Sequence, residues 1–419
     1  MVSMKKLLFY GEGPHNTTGF SLQNKHLTNI LSQVCELEYV ATTHWQPELD
    51  TEAPYVIHAC PPTISAGAKD PASRNLEKIL ARLEAREWDI FFHQGDIGAN
   101  DDVVIRAIQI AREDTSKKTI YWAPLDVDEF MPECLDVLSL VDVPVVFTER
   151  AVERIEHYRP DLAGCISVIG LGTEPDVFFP MTQEERKEQR KRIFGIEDDT
   201  FVVINVNRNQ SRKDLARTMA CFHQFHQTYP HSMLYLHAVI QDYGGNLMSQ
   251  AKLVGMDVTA KPAEVAFSSL NLHEPWARKD LNCLYNAADC FISTSYGEGW
   301  GLPTTEAMCA GTPVCVPYNT ANIDLLGPRM ERGWGMKTGG DLDHTTYLYE
   351  GGGSPHDVVW AESFVHNLVD IYLGTIPGHV LYEKYYHAVQ AKTQAAHLWG
   401  LQNTWKMRGE IWKALLEVL

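Results

Sequence analysis

Two glutamates, Glu298 and Glu306, stand eight positions apart in the segment SYGEGWGLPTTEAMCAGTP, residues 295–313. A carboxylate can accept hydrogen bonds from the neighbouring hydroxyls of a sugar or a ribose. Between the two acids, Gly299 and Gly301 lack a Cβ, so the backbone can adopt unusual dihedral angles and come close to a ligand. The residue types and their spacing therefore predict a site that binds a sugar nucleotide.

The glycine-rich turn is expected to lead from a strand into a short helix. Pro303 suits the first helical position, where the missing N–H would be unpaired in any case, and Gly311 suits the position just past the helix end. The helix start presents free N–H groups and a positive dipole end, which together bind phosphate. Glu306 then lies in the first turn of the helix, and Glu298 lies on the loop before it. The alternative is a strand–turn–helix unit with a capping glutamate and two solvated acids, which would account for one glutamate but not for the whole arrangement.

This segment resembles the E-x7-E signature of the retaining GT-B glycosyltransferases of family four. The resemblance implies that Glu306 holds the ribose of the donor nucleotide and that Glu298 touches the transferred sugar. It also implies that backbone N–H groups of the turn contact the sugar and the phosphate. The expected contacts of the turn are Gly299, Trp300, Gly301 and Leu302.

A basic run follows the first strand of the second half of the chain. In NVNRNQSRKD, residues 205–214, Arg208 and Lys213 resemble the family's Arg…Lys pair, which clamps the donor diphosphate. An arginine fork and a lysine point charge suit a leaving group whose negative charge grows as the bond breaks. The alternative, a basic helix start without a ligand, would put cations at the unfavourable end of the helix dipole. We expect Arg208 and Lys213 to act on the diphosphate and Arg212 to face solvent.

Three further positions follow strands of the expected sheets. In YGEGPHNTTGF, Thr18-Gly19 replaces the usual Gly-Gly pair of the family's first glycine loop, so Gly19 is expected to face the phosphates. Open α/β sheets bind ligands at the carboxyl ends of strands, and the resemblance implies a histidine near the reacting carbon of the donor. His93 is that candidate and Asp96 is second; the alternative is a polar strand end that only hydrogen-bonds backbone. Thr320 follows a later strand, where related enzymes reach the nucleotide through backbone groups.

Short apolar runs alternate with amphipathic helices, which is typical of parallel α/β layers, and 419 residues are too many for one ordinary core. The resemblance implies a GT-B fold, with two Rossmann-like β/α/β domains facing a central cleft and a C-terminal helix that crosses back to the first domain. We place the acceptor-side domain at 1–180, the nucleotide-sugar-binding domain at 181–398 and the terminal helix at 399–419. A helix is expected over Ala72–Arg86 and a loop over Gly339–Pro355.

Composition limits the classes of partner. With 36 basic and 54 acidic residues the net charge is −18, which disfavours nonspecific binding of nucleic acid or anionic lipid. The nine cysteines are scattered without a C-x-x-C pair, which predicts reduced thiols rather than a disulfide framework or a zinc site. The first residues run into a strand without a long apolar stretch, so we expect a cytoplasmic protein without stable membrane insertion.

Two D-x-D pairs, Asp126-Val-Asp128 and Asp341-Leu-Asp343, could in principle hold a divalent cation, as this motif does in GT-A enzymes. The expected Arg/Lys clamp would do the same electrostatic work on the donor diphosphate. We therefore expect no metal and treat both pairs as solvated acids.

The predicted activity is transfer of a sugar from a nucleotide-diphosphate sugar to an acceptor hydroxyl, with retention implied by the resemblance alone. The donor is a co-substrate, first of all a UDP- or GDP-sugar, and no permanently bound cofactor is expected. The expected acceptor is a soluble saccharide, a small metabolite, a protein or a modified nucleobase; a lipid or nucleic-acid acceptor and the oligomeric state stay open. The rival predictions are an epimerase or phosphorylase of the same fold, and a noncatalytic scaffold that binds sugar nucleotides.

Overall fold

The structure is a computed structural model, in which the chain forms two compact units. It describes residues 4–16, 18–42, 53–59, 79–97, 102–196, 199–259, 263–268, 276–347, 355–375 and 381–419. Unit 1 consists of Met1–Leu125, Phe130–Gly172 and Trp405–Leu419. Unit 2 consists of Asp126–Glu129 and Thr173–Thr404. The short segment Asp126–Glu129 therefore belongs to unit 2 although the residues on both sides of it belong to unit 1.

Unit 1 is built on a seven-stranded parallel sheet of order β3-β2-β1-β4-β5-β6-β7. Its strands are β1 (Lys5–Gly11), β2 (Cys35–Ala41), β3 (Val56–Ala59), β4 (Ile90–Gln94), β5 (Lys118–Ala123), β6 (Val143–Val146) and β7 (Ser167–Val168). Its first helices are α1 (Gly19–Leu31), α2 (Asp102–Glu113) and α3 (Glu149–Tyr158). Residues 79–84 of the helix expected over Ala72–Arg86 are also helical, and residues 72–78 lie outside the described part of the chain.

Unit 2 repeats this plan with a six-stranded parallel sheet of order β12-β9-β8-β13-β14-β15. Its strands are β8 (Phe201–Val206), β9 (Ser232–His237), β10 (Gln241–Asp242), β11 (Gly245–Asn246), β12 (Val265–Phe267), β13 (Cys290–Ile292), β14 (Val314–Pro317), β15 (Trp334–Met336), β16 (Thr345–Tyr347) and β17 (Pro355–Asp357). Its helices are α4 (Gln183–Phe194), α5 (Leu215–Thr228), α6 (Leu247–Val254), α7 (Arg278–Ala287), α8 (Leu302–Cys309), α9 (Thr320–Leu326), α10 (Ala361–Thr375) and α11 (Tyr382–Gln402).

Strand β8 shows why the unit 2 sheet is buried on both faces. All six of its residues are buried, and alternate side chains enter two different apolar clusters. Phe201 and Val203 belong to one cluster, whereas Val202, Ile204 and Val206 belong to the other. Because side chains alternate across a strand, a nearly continuous apolar run such as FVVINV, in which only Asn205 is polar, is typical of a parallel sheet covered on both faces.

One expectation about unit 2 needs correction. The polar, glycine-rich stretch expected to be a loop over Gly339–Pro355 contains paired strands at its ends, because β16 and β17 form an antiparallel hairpin with Thr346 opposite His356. Residues 348–354 between them lie outside the described residues. The strand signal was missed because Thr345–Tyr347 is only three residues long.

The last helix, α12 (Trp405–Val418), packs within unit 1, as the GT-B resemblance implied, although it begins at Trp405 and residues 399–402 belong to α11. The ring of Trp412 lies 5.0 Å from that of Phe92 and 5.4 Å from that of Trp122. A Cβ added at Gly409 would lie 2.8 Å from the side chain of Ile30, so the backbone of α12 comes close to α1. The helix thus closes the core of the first unit.

We expect Trp412→Ala to lower the free energy of unfolding of unit 1 by about 3–5 kcal/mol, because it empties a fully buried indole site. Urea denaturation followed by fluorescence measures the loss. Ile411→Ala, on the exposed side of the same helix, is the matched control and should change the free energy by less than about 0.5 kcal/mol. Equal losses in the two variants would contradict the packing described for α12.

Within the described ranges, no helix is both long and apolar enough to cross a bilayer.

Candidate functional site

The glycine-rich turn lies in unit 2 and leads into α8 as the sequence predicted. Gly301 is the N-cap of α8 with φ of +95°, a left-handed conformation that suits glycine. Pro303 is the second residue of α8, one position later than expected, where a backbone N–H would still have no partner within the helix. The remaining N–H groups of the first turn carry the partial positive charge of the helix end. This geometry can receive an anionic group of a ligand.

Glu298 is held at the turn by two cations. Glu298 is 9% exposed, its Oε1 accepts a hydrogen bond from Lys213 Nζ, and its Oε2 lies 3.4 Å from Arg212 Nη1. Burial by itself would raise the pKa of Glu298, but the Lys213 ammonium and then the Arg212 guanidinium outweigh it and lower the pKa to about 2. Glu298 is therefore ionised at every physiological pH.

Thr320 fixes the backbone of Glu298. The Glu298 N–H donates to Thr320 Oγ1 at 2.9 Å, and the Ala321 N–H donates to the Glu298 carbonyl at 3.2 Å. Thr320 itself has φ of +41°, which is uncommon for a residue other than glycine. The hydroxyl of Thr320 is thus part of the structure that positions Glu298.

Glu306 is the fifth residue of α8, beyond the first turn in which it was expected, because the helix begins at Leu302. Its electrostatic setting differs from that of Glu298. Its residue is also 9% exposed, the Tyr285 hydroxyl donates to Oε2 at 2.9 Å, and Arg278 Nη1 lies 3.5 Å from Oε1. Burial raises the pKa of Glu306 to about 7, although Arg278 and the Tyr285 hydroxyl act to lower it. Arg278 is shared with Glu174, with which it forms an ion pair. Glu306 can therefore change protonation state near neutral pH, unlike Glu298.

The basic run is arranged differently from the expectation. Arg208 is 47% exposed at its side chain, pairs with Asp242 at 2.8 Å and lies over the ring of Tyr243. Lys213, at the end of the 3₁₀ turn Ser211–Lys213, is buried against Glu298. The structure thus brings Lys213 to Glu298 and pairs Arg208 with the β10–β11 hairpin.

The expectation that Arg212 faces solvent is wrong. Its Nη1 donates to the carbonyl of Gly297, and its carbonyl accepts from the Tyr296 N–H at 2.9 Å. Its Nε also lies 3.4 Å from Asp126 Oδ2. The 3₁₀ turn explains the error, because it turns Arg212 and Lys213 toward the same glycine-rich loop.

The comparison with known families points to the same segment. Residues 268–324, which contain both glutamates and Thr320, match the family described as Glycosyl transferases group 1. The chain resembles the group 1 glycosyl transferases. The match covers the turn, α8 and the start of α9, which are the elements that hold Glu298 and Glu306.

Curated relatives share part of the chain with this protein. An alpha-monoglucosyldiacylglycerol synthase of Acholeplasma laidlawii is 25% identical over 175 residues, which are 42% of this chain and 41% of the relative. A mannosylfructose-phosphate synthase of Agrobacterium fabrum is 28% identical over 251 residues, which are 54% of this chain and 52% of the relative. The chain therefore spans about half or less of the length of these relatives.

Solved structures match along the whole chain. A sucrose-phosphate synthase from Thermosynechococcus elongatus has a TM-score of 0.65 at 14% identity, covering 99% of this chain and 100% of that one. A glycosyltransferase from Rickettsia africae has a TM-score of 0.68 at 14% identity, covering 99% of each chain. At this identity the likeness concerns the fold, which is that of GT-B glycosyltransferases.

The candidate ligand contacts in unit 1, which the family resemblance implied, lie at the ends of strands and helices. His93 is buried at the end of β4, with Nδ1 3.1 Å from the Tyr10 carbonyl and its ring 4.7 Å from that of Tyr121. This is the backbone hydrogen bond of the alternative interpretation. Gly19 is the first residue of α1, whose N-cap Thr18 accepts from the Ser21 N–H. The carbonyl of Asp96 accepts from the Tyr121 hydroxyl.

The remaining residues of the group 1 turn present backbone more than side chain. Trp300 is buried and lies 6.3 Å from Trp399, so its ring belongs to the packing of unit 2. Gly299 and Gly301 lie between Glu298 and α8, and Leu302 is the first residue of that helix. Their N–H groups are the part of this loop that suits an anionic ligand.

Five residues of the site were missed or misjudged in the sequence: Asp126, Asp128, Arg212, Arg278 and Tyr285. Their partners in the site are far along the chain; Tyr285 lies 21 positions from Glu306, and Asp128 lies 192 positions from Thr320. The available signal is the D-x-D spacing of Asp126 and Asp128, which was interpreted as a pair of solvated acids.

The structure places the two D-x-D pairs in different surroundings. Among the described residues, no cluster of three or more His, Cys, Asp or Glu side chains is suited to hold a metal ion. Asp341 instead caps a 3₁₀ turn, accepting from the N–H and the ring of His344 at 3.0 and 2.7 Å. Asp126 and Asp128 contact other residues of unit 2, described below.

Proposed function

We propose that this chain is a retaining glycosyltransferase that moves a sugar from a nucleotide-diphosphate sugar to an acceptor hydroxyl. The observation that carries the proposal is the pair Glu298 and Glu306, two buried carboxylates on either side of a helix N-terminus, each beside a cation. A nucleotide sugar carries hydroxyls at its two ends and phosphates between them. Acids flanking an anion-binding helix end match that order of groups.

In this proposal each group of the site has a separate task. Glu306 accepts hydrogen bonds from the ribose hydroxyls, and Glu298 accepts them from the transferred sugar. The N–H groups at Gly299–Leu302 and the charges of Lys213 and Arg208 act on the diphosphate. Backbone at Thr320 contributes on the nucleotide side, and Gly19 and His93 are the proposed contacts from unit 1.

Catalysis then depends on position and charge. Departure of the diphosphate leaves an oxocarbenium-like sugar, and the acceptor hydroxyl attacks from the same face. A phosphate oxygen of the donor takes the proton of the acceptor. Cations that contact the diphosphate stabilise the charge that develops on it, and fixed hydrogen bonds hold the sugar in a reactive orientation. Retention follows from the family resemblance.

The names of the relatives support sugar transfer without agreeing on an acceptor. They include a glucosyldiacylglycerol synthase, a mannosylfructose-phosphate synthase and inositol 3-phosphate glycosyltransferases. For this chain we propose a UDP- or GDP-sugar as donor and a soluble saccharide, metabolite, protein or modified nucleobase as acceptor. The cytoplasmic location expected from the sequence is part of the proposal, and cell fractionation tests it.

The proposal is tested by thermal stability in the presence of UDP-, GDP-, ADP- and CMP-sugars. A donor present at about a hundred times its dissociation constant should stabilise the folded protein by about 2.7 kcal/mol, since it binds only the native state. Glu306→Ala should abolish the shift, whereas Glu362→Ala, which removes an exposed acid at the start of α10, should keep it. If none of these sugar nucleotides shifts the midpoint of the wild type, the glycosyltransferase proposal is wrong.

A further inference from the structure

The segment Asp126–Glu129 belongs to unit 2 and lies directly against the glycine-rich turn. A Cβ added at Gly297 would collide with the carbonyl oxygen of Asp126, so the two backbones are in close contact. Gly297 immediately precedes Glu298. The segment is thus next to the acid that we assign to the transferred sugar.

Asp126 reaches Glu298 through an arginine. Its Oδ2 lies 3.4 Å from Arg212 Nε, and Arg212 Nη1 lies 3.4 Å from Glu298 Oε2 while donating to the Gly297 carbonyl. Lys213 pairs with the other oxygen of Glu298. The result is a row of alternating charges, Asp126, Arg212, Glu298 and Lys213. The guanidinium is shared between two carboxylates, so Asp126 limits how closely Arg212 can approach Glu298.

Asp128 reaches the same acid through a threonine. Its Oδ2 accepts from the Thr320 N–H at 3.3 Å, and Thr320 Oγ1 accepts from the Glu298 N–H at 2.9 Å. The left-handed conformation of Thr320, with φ of +41°, needs support from its surroundings. A carboxylate on its N–H and a donor on its hydroxyl provide that support. Asp128 thus acts on the backbone of Glu298, whereas Asp126 acts on its side chain.

We propose that Asp126 and Asp128 are positioning residues that fix Glu298 from two sides, one through Arg212 and the other through Thr320. The role of Glu298 rests on the proposed function, in which this acid accepts hydrogen bonds from the transferred sugar. Asp126 works by its charge, because it holds Arg212 in place and leaves a carboxylate oxygen of Glu298 able to accept from a sugar hydroxyl. Asp128 works as a hydrogen-bond acceptor, for which a negative charge is not required.

The two modes of action predict opposite results for the same substitution. Asn keeps an acceptor oxygen but loses the charge. Asp128→Asn should therefore keep the wild-type position of Glu298, whereas Asp126→Asn should disturb it. Asp128→Ala removes the acceptor and should also disturb the position of Glu298. Glu129→Gln is the matched control, because it removes one exposed negative charge from the same segment. A role of the segment in bulk electrostatics would make Asp126→Asn, Asp128→Asn and Glu129→Gln alike.

The first measurement is amide hydrogen exchange of the ligand-free protein. In Asp128→Ala the amides of Glu298 and Thr320 should exchange about ten times faster or more, since a net hydrogen bond of about 1.4 kcal/mol protects tenfold. In Asp128→Asn and Glu129→Gln their rates should equal those of the wild type. Unchanged rates in Asp128→Ala, with an unchanged melting midpoint, would overturn the positioning role of Asp128 whatever the protein binds.

The second measurement is calorimetric binding of the sugar nucleotide that stabilises the wild type most, and of its nucleoside diphosphate alone. Asp126→Asn should bind the diphosphate at least as well as the wild type, because it removes a negative charge near the site. The ratio between its affinities for the sugar nucleotide and for the nucleoside diphosphate should be about tenfold smaller than in the wild type, which is the effect of one hydrogen bond to a charged group. If the variant keeps the whole sugar contribution, the positioning role of Asp126 is wrong. If the wild type binds no sugar nucleotide, the proposed function fails, and proton exchange at Arg212 Nε, followed by NMR, still tests Asp126. Because Asp126 Oδ2 lies 3.4 Å from this atom, exchange that is unchanged in Asp126→Asn overturns the role of Asp126.

Discussion

Glu298→Leu is expected to lower the free energy of unfolding by about 3–5 kcal/mol, since it leaves Lys213 buried without its carboxylate partner. The double variant Glu298→Leu/Lys213→Met should regain most of that loss, because replacing both members of a buried ion pair with apolar groups is far less costly than removing one. Chemical denaturation of the wild type, the two single variants and the double variant gives the coupling energy directly.

Activity should behave differently from stability in the same set of variants. Under the proposed function Glu298 binds the transferred sugar and Lys213 acts on the diphosphate, so the double variant should remain at least about a hundredfold slower in sugar transfer although it folds well. Glu410→Ala, which breaks an exposed pair with Lys413, should change stability by less than about 0.5 kcal/mol. A double variant as unstable as Glu298→Leu would contradict the buried pair, and one with full activity would contradict the roles given to Glu298 and Lys213.

The second large effect concerns pH and Glu306. Burial raises the pKa of Glu306 in the folded protein from 4.5 to about 7. A carboxyl group with a raised pKa takes up protons more readily when folded, so its contribution favours folding at low pH and is lost as pH rises from about 4.5 through about 7. Between pH 5 and pH 8 this group alone should reduce the free energy of unfolding by about 2–3 kcal/mol, at 1.36 kcal/mol for each pKa unit.

Glu306→Gln isolates this effect. The variant cannot ionise at this position, so its stability should fall less than that of the wild type between pH 5 and pH 8, by about 2–3 kcal/mol. Urea denaturation at a series of pH values measures both curves. Glu362→Gln, an exposed acid on α10, should run parallel to the wild type. Parallel curves for the wild type and Glu306→Gln would show that Glu306 does not have a raised pKa.

The part of the site that could be predicted from sequence is the part that is local. Pro303 and Gly311 fix the start and end of α8 through backbone geometry alone, so both could be read from a single stretch of sequence. The same holds for the parallel sheets, because strands such as Phe201–Val206 are apolar at five of six positions. Glycines and prolines predict the backbone conformation only of residues within a few positions of themselves.

The partners of the two glutamates could not be found in this way. Whether Arg208 or Arg212 faces Glu298 depends on a 3₁₀ turn of three residues, and a shift of one residue turns the side chain to another direction. The contact between Asp128 and Thr320 joins residues 192 positions apart, and no local signal of charge or periodicity specifies it. An aspartate in a loop is most often solvated, so the correct assignment required the fold.

The discontinuous composition of unit 1 has a consequence for synthesis on the ribosome. Strands β1 to β7 emerge early, but the helix that carries Trp412 follows only after residues 173–404 have been made. During that interval the rings of Phe92 and Trp122 lack the indole that covers them, while unit 2 can already complete its own sheet and core. The order of folding should therefore be reversed relative to the order of translation, with the nascent first unit exposing an apolar surface that molecular chaperones recognise.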